Sequence, residues 1–260
     1  MKKMFCIDID GTLLKSNGTI SYNTVSIIKK LKEQGHEIVL CSARSRNAAI
    51  SICKLIDTSK YVISSNGAEI YDYYNNDVIK INTIDKAICV DLWNICNKSG
   101  FKISYAVNDV EYVNIPFCKN QITVDDINYI DLESVKSIMI VFDNYDAGMR
   151  LFEKIKSSAV VKSCCNKIEK DDCGYWFNVL DKNTSKGLAV EKLSNLLNIS
   201  RNNIVSFGND YNDISMFNIS ADGCAVSNSD LSLKQIATKI ILSNDEDGVA
   251  NYILDNYLNM

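Results

Sequence analysis

Short apolar runs alternate with helix-patterned stretches at both ends of this chain, and that alternation limits its fold more than any other feature. Residues 4–9 read as a buried strand. Ser21 is placed to N-cap a helix in which Val25, Ile28 and Leu31 form an apolar stripe, and Gly35 follows where a C′ glycine belongs. "EIVLCSAR" reads as a second strand, "RNAAISICKLI" as a second helix, and "YVISSNGAEIY" as a third strand running into an Asn-Gly turn. Successive strand, helix, strand units predict a parallel sheet with right-handed crossovers.

The middle, residues 82–181, has another rhythm. A helix from Ile84 to Lys98 ends at Ser99-Gly100. Strand-like "FKISYAV", "EYVNI" and "VKSIMIVFD" follow, then a helix around "AGMRLFEKIKSS", then "AVVKSCC" and "YWFNVL". Strands arriving in pairs predict a separate α+β unit with a largely antiparallel sheet. The alternation resumes with "SKGLAVEKLSNLL", "NIVSFGND", a helix at "DISMF", "CAV", "KIIL" and a C-terminal helix from about Glu246. The expectation is an α/β protein with a Rossmann-like parallel-sheet core from residues 1–81 and 182–260, carrying an inserted α/β domain over 82–181.

With 260 residues, 47% of them apolar and a net charge of −4, the chain has enough length for a full core and no basic patch for nucleic acid or an anionic membrane. The partner expected is a small soluble ligand, with no obligate protein partner. The apolar run before Asp8 is too short for a signal segment, so a cytoplasmic location is expected. The ten cysteines form no CxxC, and several sit in apolar runs, which predicts buried reduced thiols. A zinc site from Cys164, Cys165 and Cys173 is disfavoured, because adjacent strand residues point to opposite faces and His36 is the only histidine. His36 itself reads as a loop residue. The aromatic group Tyr71, Tyr73 and Tyr74 is expected to pack between domains.

In open parallel sheets, ligands bind beyond the carboxyl ends of the strands. The polar strand ends are Asp8 and Asp10, Ser42 and Arg44, Ser65 and Asn66, and Asn209 to Asp213. Two carboxyl groups as close as those of Asp8 and Asp10 repel, so one needs a proton or a cation. Magnesium, held by one or two carboxylates and a substrate phosphate, suits such a pair. Lys186 opens a helix, where the macrodipole gives a cation no structural benefit, so a functional role is expected.

"DIDGTLL" resembles the first motif of the haloacid dehalogenase superfamily of phosphotransferases, and the likeness runs along nearly the whole chain. The stretch from "DGTLLKSNGTIS" to "VLCSAR" is similar to the opening of the Cof-type sugar-phosphatase branch, "SSNGAEIYD" to its Asn-Gly element, "NTSKGLAVEKL" to its lysine motif, and "VSFGNDYNDISMF" to its acidic metal motif. The resemblance implies a Mg2+-dependent phosphatase acting on small phosphorylated metabolites, sugar phosphates favoured. It implies Asp8 as the nucleophile and Asp10 as the general acid and base, with Lys186 against the phosphoryl group. It further implies that Ser42, with the backbone at Ala43, binds a phosphoryl oxygen. Arg44 either reaches the substrate or pairs on the surface. Asn66 and Gly67 line the entrance or simply form a turn, and Asn212 fixes its loop or touches phosphate. The cation falls to Asp8, the carbonyl of Asp10 and the 209–213 loop.

That loop departs from the family, which has Asp where this chain has Asn209, so the site is one negative charge short. Asn209 is expected to ligate and Asp213 to complete the site, through water or by holding Asn209 and Lys186, with Asp210 as the alternative ligand. The insertion corresponds to a substrate-selecting cap with hinges near residues 80–84 and 180–184, and Pro116 marks a turn within it. A phosphomutase, or a phosphosugar-binding protein with weakened catalysis, remains the alternative.

Overall fold

The computed structural model describes residues 1–163 and 174–258 in full and the backbone of residues 169–171. The disfavoured zinc site of Cys164, Cys165 and Cys173 lies outside the described residues. The chain packs as two compact units, Met1–Lys80 with Ser185–Met260, and Ile81–Thr184.

The chain first lays down β1 (Met4–Ile7), α1 (Tyr22–Glu33), β2 (Glu37–Cys41), α2 (Arg46–Ile56), β3 (Tyr61–Ser64), β4 (Glu69–Asp72) and β5 (Asp77–Ile81). The second unit follows with α3 (Lys86–Ser99), β6 (Lys102–Val107), β7 (Val110–Val113), β8 (Ile122–Thr123), β9 (Val135–Phe142), α4 (Tyr145–Lys156), β10 (Val161–Ser163), β11 (Glu169–Asp171) and β12 (Gly174–Asp181). The first unit is then completed by α5 (Lys186–Leu196), β13 (Ile204–Gly208), α6 (Ile214–Phe217), β14 (Asp222–Val226), α7 (Leu231–Ile236), β15 (Lys239–Ile241) and α8 (Gly248–Ile253).

Among the described residues, the first unit's sheet has the order β15-β14-β13-β1-β2-β3-β4-β5. It is parallel from β15 through β3. Strands β1, β2, β3, β4 and β13 are buried along their whole length, and the side chains of the central strands sort by the two-residue period. Phe5, Ile7, Ile38, Leu40, Val205 and Phe207 face α1, α2 and α8, which contribute Ile28, Cys53 and Val249 among others. Met4, Cys6, Val39, Cys41 and Ile204 face α5, α6 and α7, represented by Val190, Met216 and Leu233. Ser21 caps α1 by accepting from the Thr24 amide, and Gly35 has φ +84 just beyond the helix end.

The third apolar stretch is two strands where one was expected. Ser65, Asn66 and Gly67 hold φ values of 49, 57 and 91 in succession, so the chain reverses and β4 pairs antiparallel with β3, Ser64 opposite Glu69. The tyrosines after it also correct their expectation. Tyr71 lies in the first unit's own core, Tyr73 meets Thr58, and Tyr74 meets Lys32. His36 accepts from the Lys3 amide at a turn and packs edge-on against Phe5.

The second unit's sheet follows β10-β12-β9-β6-β7-β8, with β11 also on β12. Its pairings are antiparallel except β7 with β8. Apolar faces of α3 and α4, including Trp93, Cys96, Phe152 and Ile155, pack against Ile103, Ile140 and Phe177. Asp85 N-caps α3, and Gly100 ends it in the left-handed region. Of the described cysteines, Cys6, Cys41, Cys53, Cys89, Cys96 and Cys224 are buried free thiols, and Cys118 is exposed. No described helix is long and apolar enough to cross a membrane.

Candidate active site

The site grows from the end of β1. Asp8 leaves the strand in extended conformation, its amide still bonded to the Phe207 carbonyl at 3.0 Å, and the chain then coils into one tight turn over Ile9–Leu13. Gly11, at φ +74, makes that turn possible, and a Cβ there would lie 2.4 Å from Asn209 Nδ2. Asp8 is thereby buried, while Asp10 on the same turn stays exposed.

Lys186 comes from the first position of α5, where Ser185 caps the helix by accepting from the Leu188 amide. The backbone of Ser185 sits against Gly67, whose absent Cβ would fall 2.2 Å from the Ser185 carbonyl oxygen. The Lys186 side chain is fully buried and its Nζ donates to Asp8 Oδ1 at 2.6 Å and to Asp213 Oδ1 at 2.7 Å. Burial pushes the Asp8 carboxyl up to about 7 against the pull of the Lys186 charge, with Asp213 adding to the rise. Burial by itself would lower Lys186, but Asp213 and Asp8 outweigh it and hold the ammonium above its usual value. A buried cation shared by two carboxylates leaves one excess negative charge, which is the condition that invites a further cation or a proton.

Asp213 has its second oxygen engaged as well, accepting from the Asn209 amide at 2.9 Å and the Asp210 amide at 3.1 Å. Of the two ways foreseen for Asp213 to complete the site, the geometry is that of holding Asn209 and Lys186. Asp210 turns outward and accepts from the Tyr211 amide in a capping box with Asp213.

The remaining strand ends interlock. The amide of Ser42 donates to Ile63, the amide of Asn66 to the Ser42 carbonyl, and the amide of Ser65 to the Arg44 carbonyl. Ser42 Oγ accepts from the Arg44 amide at 3.1 Å and keeps its own hydroxyl proton to donate, while Ala43 stands exposed beside it. Asn212 Nδ2 donates to Asn66 Oδ1 at 2.8 Å, tying the 209–213 loop to the Asn-Gly turn. Arg44 pairs at the exposed edge of the site. Its guanidinium takes Asp10 in a two-point grip.

The side-chain amide of Asn209 lies between the turn and the buried acid. Thr12 Oγ1 donates to its Oδ1 at 3.0 Å. The same position is 3.0 Å from the Asp10 carbonyl oxygen and 3.1 Å from Asp8 Oδ2. Oxygens of a carboxylate, a backbone carbonyl and an amide converging on one place form a donor set of the kind hard cations take, and magnesium fits it. Among the described residues no three His, Cys, Asp or Glu side chains form such a group, because two of the converging oxygens belong to an amide and to the backbone. Thr12 and Asn228, whose Nδ2 donates to the Gly11 carbonyl at 2.8 Å, join this turn without having been singled out from the sequence. The only signal for Thr12 was its place directly after Asp10-Gly11.

The family described as haloacid dehalogenase-like hydrolase matches residues 5–253. The chain is 24% identical to the 5-amino-6-(5-phospho-D-ribitylamino)uracil phosphatase YitU of Bacillus subtilis, over 98% of this chain and 97% of that protein. In structure it is similar to a haloacid dehalogenase-like hydrolase from Bacteroides thetaiotaomicron, with a TM-score of 0.86 and 21% identity over 99% of this chain and 100% of that one. A subclass IIB sugar phosphatase aligns with a TM-score of 0.81 and 20% identity over 98% of each chain. Matched from β1 to α8, with its four polar strand ends gathered around Asp8, the chain belongs to the haloacid dehalogenase-like hydrolase family and is a hydrolase of that type.

Proposed function

We propose that this hydrolase is a phosphatase: it cleaves phosphoric monoesters of small metabolites through an aspartyl-phosphate on Asp8, with sugar phosphates as the favoured class. The observation that carries the reading is the Lys186 bridge between Asp8 and Asp213, a buried cation set beside a nucleophilic carboxylate at a strand end. The named relatives act on different phosphate esters, a ribitylaminouracil phosphate in one case and sugar phosphates in another, so the class carries over and a single substrate does not.

In this mechanism Asp8 attacks phosphorus, the bond to the leaving oxygen breaks, and Asp10 delivers the proton that oxygen needs. Asp10, now a carboxylate, takes a proton from water, whose oxygen attacks phosphorus and releases Asp8 and inorganic phosphate. Lys186 and the Ser42 hydroxyl balance charge on the phosphoryl oxygens, a type of contribution worth about 10²- to 10³-fold per donor. Asp8, the Asp10 carbonyl and Asn209 would hold a divalent cation, which when bound would supply charge neutralisation for the transferring group. The second unit is entered at Ile81 and left at Thr184, directly before Ser185 and Lys186, which supports a role for residues 81–184 in choosing the leaving group.

The test is phosphate release from a panel of sugar phosphates and an aryl phosphate, with and without Mg2+, for the wild type and Asp8→Asn. Release that needs Mg2+ and disappears in the variant supports the reading. Isomerised substrate without free phosphate points to a mutase, and tight substrate binding with no turnover to a binding protein.

A further inference from the structure

We propose that Asn209 is a two-position amide that stands in for the divalent cation when none is bound and turns to ligate it when one is. The proposal rests on the phosphatase reading only in taking this place as a cation site.

Three oxygens of other residues surround one end of the amide: Thr12 Oγ1 at 3.0 Å, the Asp10 carbonyl at 3.0 Å and Asp8 Oδ2 at 3.1 Å. If that end is the oxygen, Thr12 offers it a proton, while the Asp10 carbonyl and an ionised Asp8 face it with none. Such a cluster is held together by a cation. If that end is the nitrogen, its two hydrogens reach Asp8 and Asp10 and none is left for Thr12 Oγ1. The two states differ by a half-turn of one side-chain torsion and by whether the Thr12 hydroxyl donates to the amide.

The rest of the residue is held. Its amide N–H is fixed on Asp213 Oδ2 at 2.9 Å, and its carbonyl accepts from the Asp230 amide at 2.8 Å. Gly11 packs against the other end of the amide. Only the half-turn is left, and an aspartate in this place has no equivalent state, because a carboxylate cannot donate. An aspartate would instead set a third negative charge beside Asp8 and Asp213, around the single Lys186.

The consequence is a site that is comfortable without metal and binds it modestly, since the incoming cation must displace hydrogen bonds and gains no charge from residue 209. Mg2+ binding by isothermal titration and thermal unfolding in EDTA, on the wild type, Asn209→Asp and Asn209→Ala, test this. Asn209→Asp should bind Mg2+ about tenfold tighter or more, unfold at a lower temperature in EDTA, and recover more on adding Mg2+. Asn209→Ala should lose stability in EDTA as well. In the wild type, the Asn209 side-chain NH2 resonances should shift and lose exchange protection when Mg2+ is added, a reading that needs no variant to fold.

Asn209→Asp binding Mg2+ no tighter than the wild type overturns the proposal, as does its unfolding in EDTA at the wild-type temperature, or NH2 resonances indifferent to Mg2+. Those results alongside Mg2+-dependent phosphate release would leave the phosphatase reading intact. The expected binding and melting results without any phosphate release would retain the amide and remove the phosphatase.

Discussion

Arg44 grips Asp10 with two hydrogen bonds, Nε to Oδ2 at 2.8 Å and Nη2 to Oδ1 at 2.7 Å. The fork matches a carboxylate and holds the Asp10 side chain in one orientation. Arg44→Ala should free that side chain and lower kcat by on the order of 10²-fold, within the range of general acid–base effects. Arg44→Lys keeps the charge without the fork and should fall between. Steady-state kinetics read both variants, and an unchanged kcat in Arg44→Ala would remove the pairing from the mechanism.

Lys186 bridges two buried carboxylates at once. Lys186→Met leaves Asp8 and Asp213 facing each other without a cation and should cost roughly 3–5 kcal/mol of stability, measured by urea unfolding at neutral pH. Asp213→Asn, which leaves Lys186 paired with Asp8, should cost less stability. It should still depress turnover, because Asp213 also fixes the Asn209 and Asp210 amides.

The raised Asp8 carboxyl makes the stability of the metal-free protein depend on pH. Its value moves from 3.8 to about 7, so between those limits the folded chain binds more protons than the unfolded one. Stability then falls as pH rises through that window. In EDTA the melting temperature of the wild type should fall more steeply from about pH 4 to about pH 7 than that of Asp8→Asn, which has no such proton to lose. Parallel curves for the two proteins would show that Asp8 titrates normally.

Gly11 and Gly67 combine left-handed backbone with a close neighbour. An alanine at residue 11 would meet Asn209 Nδ2 at 2.4 Å, and one at residue 67 would meet the Ser185 carbonyl at 2.2 Å. Each substitution should cost at least about 1 kcal/mol from the backbone conformation alone. Gly11→Ala should also weaken Mg2+ binding, by displacing the amide. Gly67→Ala should act through the start of α5 and reduce turnover by misplacing Lys186. Titration calorimetry and kcat distinguish the two.

Much of the architecture was legible because it is written in periodicity. The strands of the first unit are continuous apolar runs, α1 carries its cap at Ser21 and its stop at Gly35, and α3 ends at Gly100. The hairpin after β3 was missed because Asn-Gly marked a turn, while the left-handed Ser65 that begins the reversal carries no signal of its own. The tyrosines from Tyr71 to Tyr74 looked like interface residues, since aromatic clusters signal contact without naming the partner. In the site, the residue types were readable one by one, but their pairings were not. That Arg44 would take Asp10, and that Asp213 would spend both oxygens on Lys186 and backbone amides, depends on distances between loops far apart in the chain. Asn209 stood out as a missing charge, whereas its capacity to donate in place of a cation appears only beside Asp8, Asp10 and Thr12.

Met4 pairs with Ile204, and Asp8 meets Lys186 across 178 residues of sequence. Long-range pairings of this kind form slowly and wait for distant chain. On the ribosome Asp8 emerges early, yet its charge partner and the β13 neighbour of its strand are made only after the whole stretch 81–184 has been synthesised, a stretch with a sheet and core of its own. A nascent or prematurely terminated chain therefore exposes the carboxylates of Asp8 and Asp10 with no Lys186 beside them. The joining of Asp8 to Lys186 therefore waits until α5 has been made.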